Sequence, residues 1–290
     1  MFVFSEDTCI DENMIKITGA DIEENFIREK MPDVLDILLV DRTKSTQRKQ
    51  KNIIWGHNQY SHYDKKAYSA ESEIFANLIT GNMKDLIMPR ALKTDLEKQE
   101  RTKSKAEVFT PLWTIKKQND YLEKDFLDLN LEQYVQKTWL EITCGEGPYM
   151  VSRYDVEKGY LVPIKDRQGF VDRKLKRINL EVDNKAEWQR LVEEAYKASY
   201  GYEWNGDSLL IARENMLYTY RDYYISKWNE EPILGLFKKI ATIISYNVFQ
   251  MDGLKFIVPF SEKKEKAINI QLSLFDIEPE EQWIIKKGKK

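Results

Sequence analysis

With 290 residues, 42% of them hydrophobic, the chain can bury a full core as one large domain or two small ones. Its 45 Lys+Arg against 48 Asp+Glu leave a net charge of −3, which excludes the global basic field of a histone-like or tail-driven nucleic-acid binder, so any nucleic-acid contact must be local. The two cysteines, Cys9 and Cys144, lie far apart, which excludes a disulfide framework and fits a reducing, cytoplasmic setting. No apolar run approaches the ~18 residues of a membrane span, and the N-terminus lacks a basic region followed by an apolar one. His57 and His62 are the only histidines and have no cysteine nearby, poor spacing for zinc, so no metal site is expected.

In chain order, VLDILLVDR (34–42) alternates as a strand, TKSTQRKQK (43–51) is polar and basic, and NIIWGH (52–57) reads as a second strand. Together they predict a hairpin with a long basic tip. Within 41–66, Arg42, Lys44, Arg48, Lys49, Lys51, Lys65 and Lys66 stand against Asp41 and Asp64. Such a loop is either solvated or a phosphate-contacting element, because exposed Lys/Arg clusters supply sequence-independent DNA affinity. Residues 69–100 predict a helix, with ESEIFANLITG ending at Gly81 as a C-cap. The charged connector KTDLEKQERTKSK (93–105) is the best domain boundary, separating an α+β N-terminal region (1–104) from a second domain (105–290).

In AEVFTPLWTI (106–115), Pro111 sits at a predicted helix start behind Phe109. LEQYVQKTWLEIT then leads into WLEITCGEGPYMV (139–151), an apolar strand that reaches Glu141 and enters the turn Cys144-Gly145-Glu146-Gly147. Glycine there permits positive φ and close approach to a ligand, as a strand-to-helix turn around a nucleotide-like cofactor requires, although such glycines also serve ordinary turns. The 153–199 stretch carries a second basic patch at 164–177 and a helical AEWQRLVEEAYKASY. Asp166, Asp172 and Lys174 allow a nuclease-like reading, which a scattered set of surface charges equally explains.

YGYEWNGDSLLIARENMLYTY (200–220) predicts a short aromatic strand ending near Glu203, then an amphipathic helix that buries Leu210, Ala212, Met216 and Leu217. A carboxylate at the end of the strand after a glycine-turn unit is placed to accept hydrogen bonds from ribose hydroxyls. GDSL (206–209) imitates a serine-hydrolase signature, but no histidine follows His62 to act as base. A helix over GLFKKIATIISYNV then precedes FQMDGLKFIVPF (249–260). There Asp252 forms either a plain Asp-Gly turn or an acceptor for the exocyclic amine of adenine.

VFTP at 108–111, LEITCGEGPYMV at 140–151, YGYE with IARENML at 200–217 and QMDGL at 250–254 stand in the order found in amino-methyltransferases acting on adenine N6 in DNA. The chain most resembles the gamma-ordered enzymes of restriction-modification systems over roughly 105–260. The resemblance implies an α/β, Rossmann-like S-adenosylmethionine-dependent methyltransferase sheet with a mixed α+β region before it. It also implies a cofactor pocket: Phe109, Thr110 and Pro111 bordering the methionine end, Glu141, Cys144, Gly145 and Gly147 holding the backbone, Glu203 on the ribose and Asp252 on the adenine. Double-stranded DNA is the implied partner.

Two departures qualify the resemblance. The spacing from Gly147 to Glu203 exceeds a simple strand-helix-strand step, so 153–199 reads as an insertion. The family's Asn/Asp-Pro-Pro-aromatic motif, which grips the target amine and stacks on the flipped base, has no counterpart, since none of the eight prolines are adjacent. The catalytic residues are therefore unknown. The sheet is expected to supply only one side of the switch point, and a second chain, self-association or residues 1–104 would cover the open edge. Three readings follow: the cofactor-binding part of a methyltransferase completed by another chain, an inactive methyltransferase-like DNA-binding or regulatory protein, or a complete enzyme whose pocket uses Tyr246, Asn247 and Phe249.

Overall fold

The computed structural model describes residues 22–93, 110–155, 159–261, 263–264 and 283–284. Phe109 and nearly all of the 93–105 connector lie outside the described residues. The described chain is mixed α/β. Eight α-helices accompany a three-stranded sheet, and a two-residue antiparallel pair joins Lys263–Lys264 to Trp283–Ile284. No described helix is long and apolar enough to cross a membrane.

The N-terminal part holds α1 (Ile22–Lys30) and α2 (Pro32–Leu39). The strand expected over 34–42 is thus a helix. Val34, Leu35, Leu38 and Leu39 are buried at helical spacing, and Pro32 occupies the first turn, where its missing N–H costs nothing. A period-2 reading of VLDILLV takes this stripe for alternation. Over 69–93, the described part of the helix expected at 69–100, no α-helix forms. Ile74 N donates to Ile53 O (2.8 Å) and Trp55 N to Ser72 O (3.1 Å), so 72–74 is extended and spends its backbone groups on 53–55. Only short 3-10 turns follow, at Ala76–Leu78, Gly81–Met83 and Arg90–Leu92, and Gly81 begins one of them with φ +59° instead of capping a helix. The basic hairpin survives in reduced form: Val40 bridges Asn52, Asp41 N donates to Lys51 O (2.8 Å), and the tip closes between Thr46 and Lys49.

After α3 (Leu112–Glu123), which Pro111 opens as expected, and α4 (Leu131–Val135), the sheet begins with β1 (Trp139–Glu141). The crossover to β2 (Ser199–Glu203) contains α5 (Phe170–Glu181) and α6 (Lys185–Lys197). The stretch read as an insertion therefore holds the crossover helices, whose Leu175, Ile178, Trp188 and Val192 are fully buried. The next crossover, through α7 (Gly206–Trp228) and α8 (Leu234–Asn247), reaches β3 (Val248–Gln250). All pairing is parallel, in the order β1-β2-β3, with Glu141 opposite Gly201 and Glu203 opposite Gln250. Both crossovers advance the same way across the sheet, and right-handed connections then put all four helices on one face. Their mutual packing agrees with that placement.

α7 is not amphipathic as expected. It is buried on all sides from Gly206 to Tyr220, because α1 and α2 cover the side that the sheet and its neighbouring helices leave open. One hydrophobic core runs from Ile27 and Leu38 through Leu209 and Met216 to Val248, so residues 22–93 pack into the same core as the sheet. Polar anchors cross that contact. Arg28 pairs with Glu214 through two hydrogen bonds (2.8 and 2.6 Å), both side chains being buried.

Candidate functional site

The carboxyl ends of three adjacent parallel strands bring together motifs that are far apart in the chain. This is where an open α/β sheet binds ligands. After β1 the backbone turns through Thr143, Gly145 and Gly147, with φ of +53°, +55° and +77°. Cys144 N donates to Tyr202 O (2.7 Å), which extends the β1–β2 pairing into the turn.

The two glycines serve different purposes. A Cβ on Gly147 would lie 2.8 Å from Met150 Cε and 3.5 Å from Ala212 Cβ of α7, so Gly147 permits close packing of turn on helix. A Cβ on Gly145 would meet nothing within 4 Å among the described residues, so these leave its α-carbon open to a ligand. Gly147→Ala is accordingly expected to cost ~2 kcal/mol or more through left-handed strain plus the clash, and Gly145→Ala only ~1 kcal/mol. Urea midpoints of the two variants check the order.

Two buried carboxylates hold this turn. Glu141 accepts from Tyr149 N (3.2 Å) and Met150 N (2.9 Å), so it clamps the far limb of the loop. Burial pushes its carboxyl up to about 8 despite these two amides, and the charge of nearby Glu203 adds to the rise. Glu203, at the end of β2, accepts from Gly145 N through Oε2 (2.8 Å) and from Asn205 N (2.9 Å) and Nδ2 (3.0 Å) through Oε1. Burial raises its carboxyl too, and Asp207 adds repulsion. A carboxylate offers about four acceptor positions, so Glu203 retains one beyond these three donors.

The other expected residues fall around this pair. Thr110 hydrogen-bonds the Tyr149 hydroxyl, which places the start of α3 against the limb that Glu141 clamps. Pro111 precedes that helix in extended conformation. Cys144 is buried with its thiol pushed up, chiefly by burial, and a Cβ on Gly201 would lie 3.2 Å from its Sγ. Its side chain packs inward, leaving its backbone to shape the turn. Asp252 Oδ1 accepts from Leu254 N and Lys255 N (both 2.9 Å), the geometry of the plain Asp-Gly turn. That turn nonetheless reaches the site: a Cβ on Gly253 would lie 2.5 Å from Ile142 Cγ2 and 3.1 Å from Thr143 N.

Other sequence candidates separate. Asp172 accepts from Ser152 N (2.8 Å) and Gly169 N (3.1 Å), whereas Lys174 donates to Lys137 O (2.6 Å) and Ala198 O (3.4 Å) at the opposite end of the sheet. Asp166 is exposed, so no nuclease-like cluster forms from these three residues. Asn247 Nδ2 donates to Tyr196 O (3.0 Å) and Lys197 O (2.7 Å), which puts the Tyr246-Asn247 pair at the amino end of β3, away from both carboxylates. Ser208 of GDSL is buried in the first turn of α7.

Asn205, which braces Glu203, was missed in the sequence, although Asn before a helix-opening Gly-Asp is a recognisable N-terminal signal. The contribution of 54–60 had no sequence signal. Gln250 bonds Ile54 in both directions (2.9 and 2.8 Å), Trp204 Nε1 donates to Gly56 O (3.0 Å), and Gly206 N donates to Trp55 O (3.0 Å). His57 Nε2 lies 3.1 Å from Asp207 Oδ1, and Tyr60 donates to Asp207 Oδ2 (3.0 Å). This segment thereby braces the β2–α7 turn that carries Glu203. No protein-family model, curated protein or solved structure matches the chain.

Proposed function

We propose that this chain is the S-adenosylmethionine-binding part of a DNA adenine-N6 methyltransferase of a restriction-modification system. The observation that carries the reading is the Glu203 carboxylate held 2.8 Å from the Gly145 amide at the carboxyl end of a parallel β1-β2-β3 sheet. The residues present fit such a cofactor: Gly145 borders open space, Glu203 keeps acceptor capacity for a ribose hydroxyl, and the Asp252 turn packs on Thr143. When bound, S-adenosylmethionine supplies the methyl group. The protein's part is to orient it. Glu203→Gln tests the reading by calorimetry, with an expected loss of roughly 50-fold or more in affinity, because an acceptor for the ribose is replaced partly by a donor. Unchanged affinity would remove the site assignment.

The base pocket is completed by another polypeptide. Among the described residues β1 has no partner on its outer side, and Leu140 and Ile142 beside that edge are 41% and 44% exposed. Soluble parallel sheets ordinarily cover both faces and protect their edges. Residues 52–56 reach the β3 end of the sheet through Gln250, which leaves β1 as the open side. Light scattering assigns the cover: a monomer points to a different chain, and a dimer dissolved by Leu140→Lys points to a second copy.

A further inference from the structure

The sequence shows two basic patches that it cannot rank, and the structure separates them. In the 164–177 patch, Arg167 is buried against Asp222 (2.6 Å), and Arg173 is held by Asp120 (2.7 Å) and Glu123. Lys174 is buried on two carbonyls, Lys176 donates to Lys165 O (2.9 Å) and Arg167 O (2.5 Å), and Arg177 pairs with Glu181 (2.5 Å). Those charges brace the crossover helices.

The 42–66 patch is built the other way. Its root is fixed: Arg42 Nε donates to Ser245 Oγ (2.9 Å) with its guanidinium 4.5 Å from the Tyr246 ring centroid, Lys44 Nζ reaches Pro259 O (3.4 Å), and Lys51 pairs with Glu73 (2.5 Å). Its outer cations, Arg48, Lys49, Lys65 and Lys66, are exposed, and their side chains make no ion pair among the described residues. The two tips are linked, since Ser72 Oγ donates to Lys66 O (2.5 Å) while Lys49 acts electrostatically on Glu73, the partner of Lys51. Exposed Tyr63 lies against His62 beside the second tip, with centroids 4.2 Å apart and the rings tilted by 37°. Glu71 and Asp64 are the exposed acids nearby, and Asp64 is turned to its own backbone amides.

We infer that Arg48, Lys49, Lys65 and Lys66 form a contact surface for the phosphodiester backbone of double-stranded DNA. The choice of DNA as the polyanion rests on the function proposed above; the choice of surface rests on the unpaired charges. Unpaired cations on an ordered backbone suit phosphate contacts, because no internal ion pair has to be broken and the chain that carries them is already folded when the ligand arrives. The segment spans the β3 side of the sheet: Arg42 anchors it at Ser245, at the amino end of β3, while Gly56 and Trp55 tie it to the β2–α7 turn and Lys44 to the loop after Asp252.

Fluorescence anisotropy with a short labelled duplex tests the inference on the full chain. With all four residues changed to Gln, affinity is expected to fall at least ~10-fold at about 50 mM salt, and the slope of log affinity against log salt to shrink by about three. Lys117→Gln with Lys165→Gln, equally exposed lysines elsewhere, should bind within about twofold of the parent. The inference is overturned if the fourfold variant binds like the parent, if the control pair loses as much, if the parent does not bind duplex, or if single-stranded RNA displaces duplex at lower concentration. Calorimetry with S-adenosylmethionine on the fourfold variant keeps the two proposals apart: intact cofactor binding with lost DNA binding supports the surface, and absent cofactor binding in the parent defeats the site assignment alone.

Discussion

Arg213→Met is expected to destabilise the protein by roughly 3–5 kcal/mol, enough to unfold a domain of ordinary stability. Arg213 lies on α7 with no solvent exposure. Its guanidinium donates to Val248 O (2.7 Å), Val40 O (3.0 Å), Ser245 O (3.3 Å) and Leu38 O. Leu38 and Val40 belong to the end of α2, and Ser245 to the last turn of α8. Carbonyls at helix C-termini lack intrahelical donors and carry partial negative charge, so one buried cation satisfies the ends of two helices and the start of β3. Burial lowers the guanidinium pKa to about 10, while the charge of Asp41 opposes the fall. The cation therefore persists at neutral pH. Methionine fills much of the volume but leaves buried carbonyls unpaired, at ~1–3 kcal/mol each before relaxation. Arg213→Lys keeps the charge without the planar fork and should recover only part of the loss. Urea denaturation of the three proteins measures the series, and a methionine variant within 1 kcal/mol of the parent would show that the carbonyls find water.

The second large effect is a pH dependence. Glu141 has a folded pKa raised from 4.5 to about 8, so the folded state holds its proton more tightly than the unfolded chain. Its stabilising contribution is full below the unfolded value and is lost as pH rises through about 8. The loss approaches ~1.4 kcal/mol per pH unit within that window. Glu141→Gln keeps an uncharged side chain of the same shape and should abolish this slope, making the variant the more stable protein at pH 9 but not at pH 5. Lys174 works in the opposite sense. Burial lowers its folded pKa from 10.5 to about 7, so its contribution is present above 10.5 and lost as pH falls through about 7. Melting curves of parent and Glu141→Gln between pH 5 and 9 separate the two, because only the Glu141 slope disappears in the variant.

Much of the sheet was legible in the sequence because it depends on local pattern. An apolar strand reaching Glu141, an aromatic strand reaching Glu203 and a third strand before Asp252, each separated by helical stretches, suffice for parallel strands with crossovers, and β1, β2 and β3 lie there. The N-terminal elements were misread where packing overrides pattern. VLDILLV becomes α2 because Leu38 and Leu39 share a helical face against the core, and ESEIF stays extended because 53–55 supplies its hydrogen-bond partners.

The sequence by itself determined the order of the motifs, the parallel strands and the presence of two basic segments. The tertiary structure alone decided that Gly145 faces open space while Gly147 packs on α7, that Glu141 clamps a loop while Glu203 meets Gly145, and that Arg167, Arg173, Lys174, Lys176 and Arg177 are consumed internally while Arg48, Lys49, Lys65 and Lys66 are not. The physical reason is common to all three. A side chain's free hydrogen-bonding and charge capacity is what remains after its neighbours in space have taken their share, and those neighbours stand far away in the chain, as Glu203 does from Gly145.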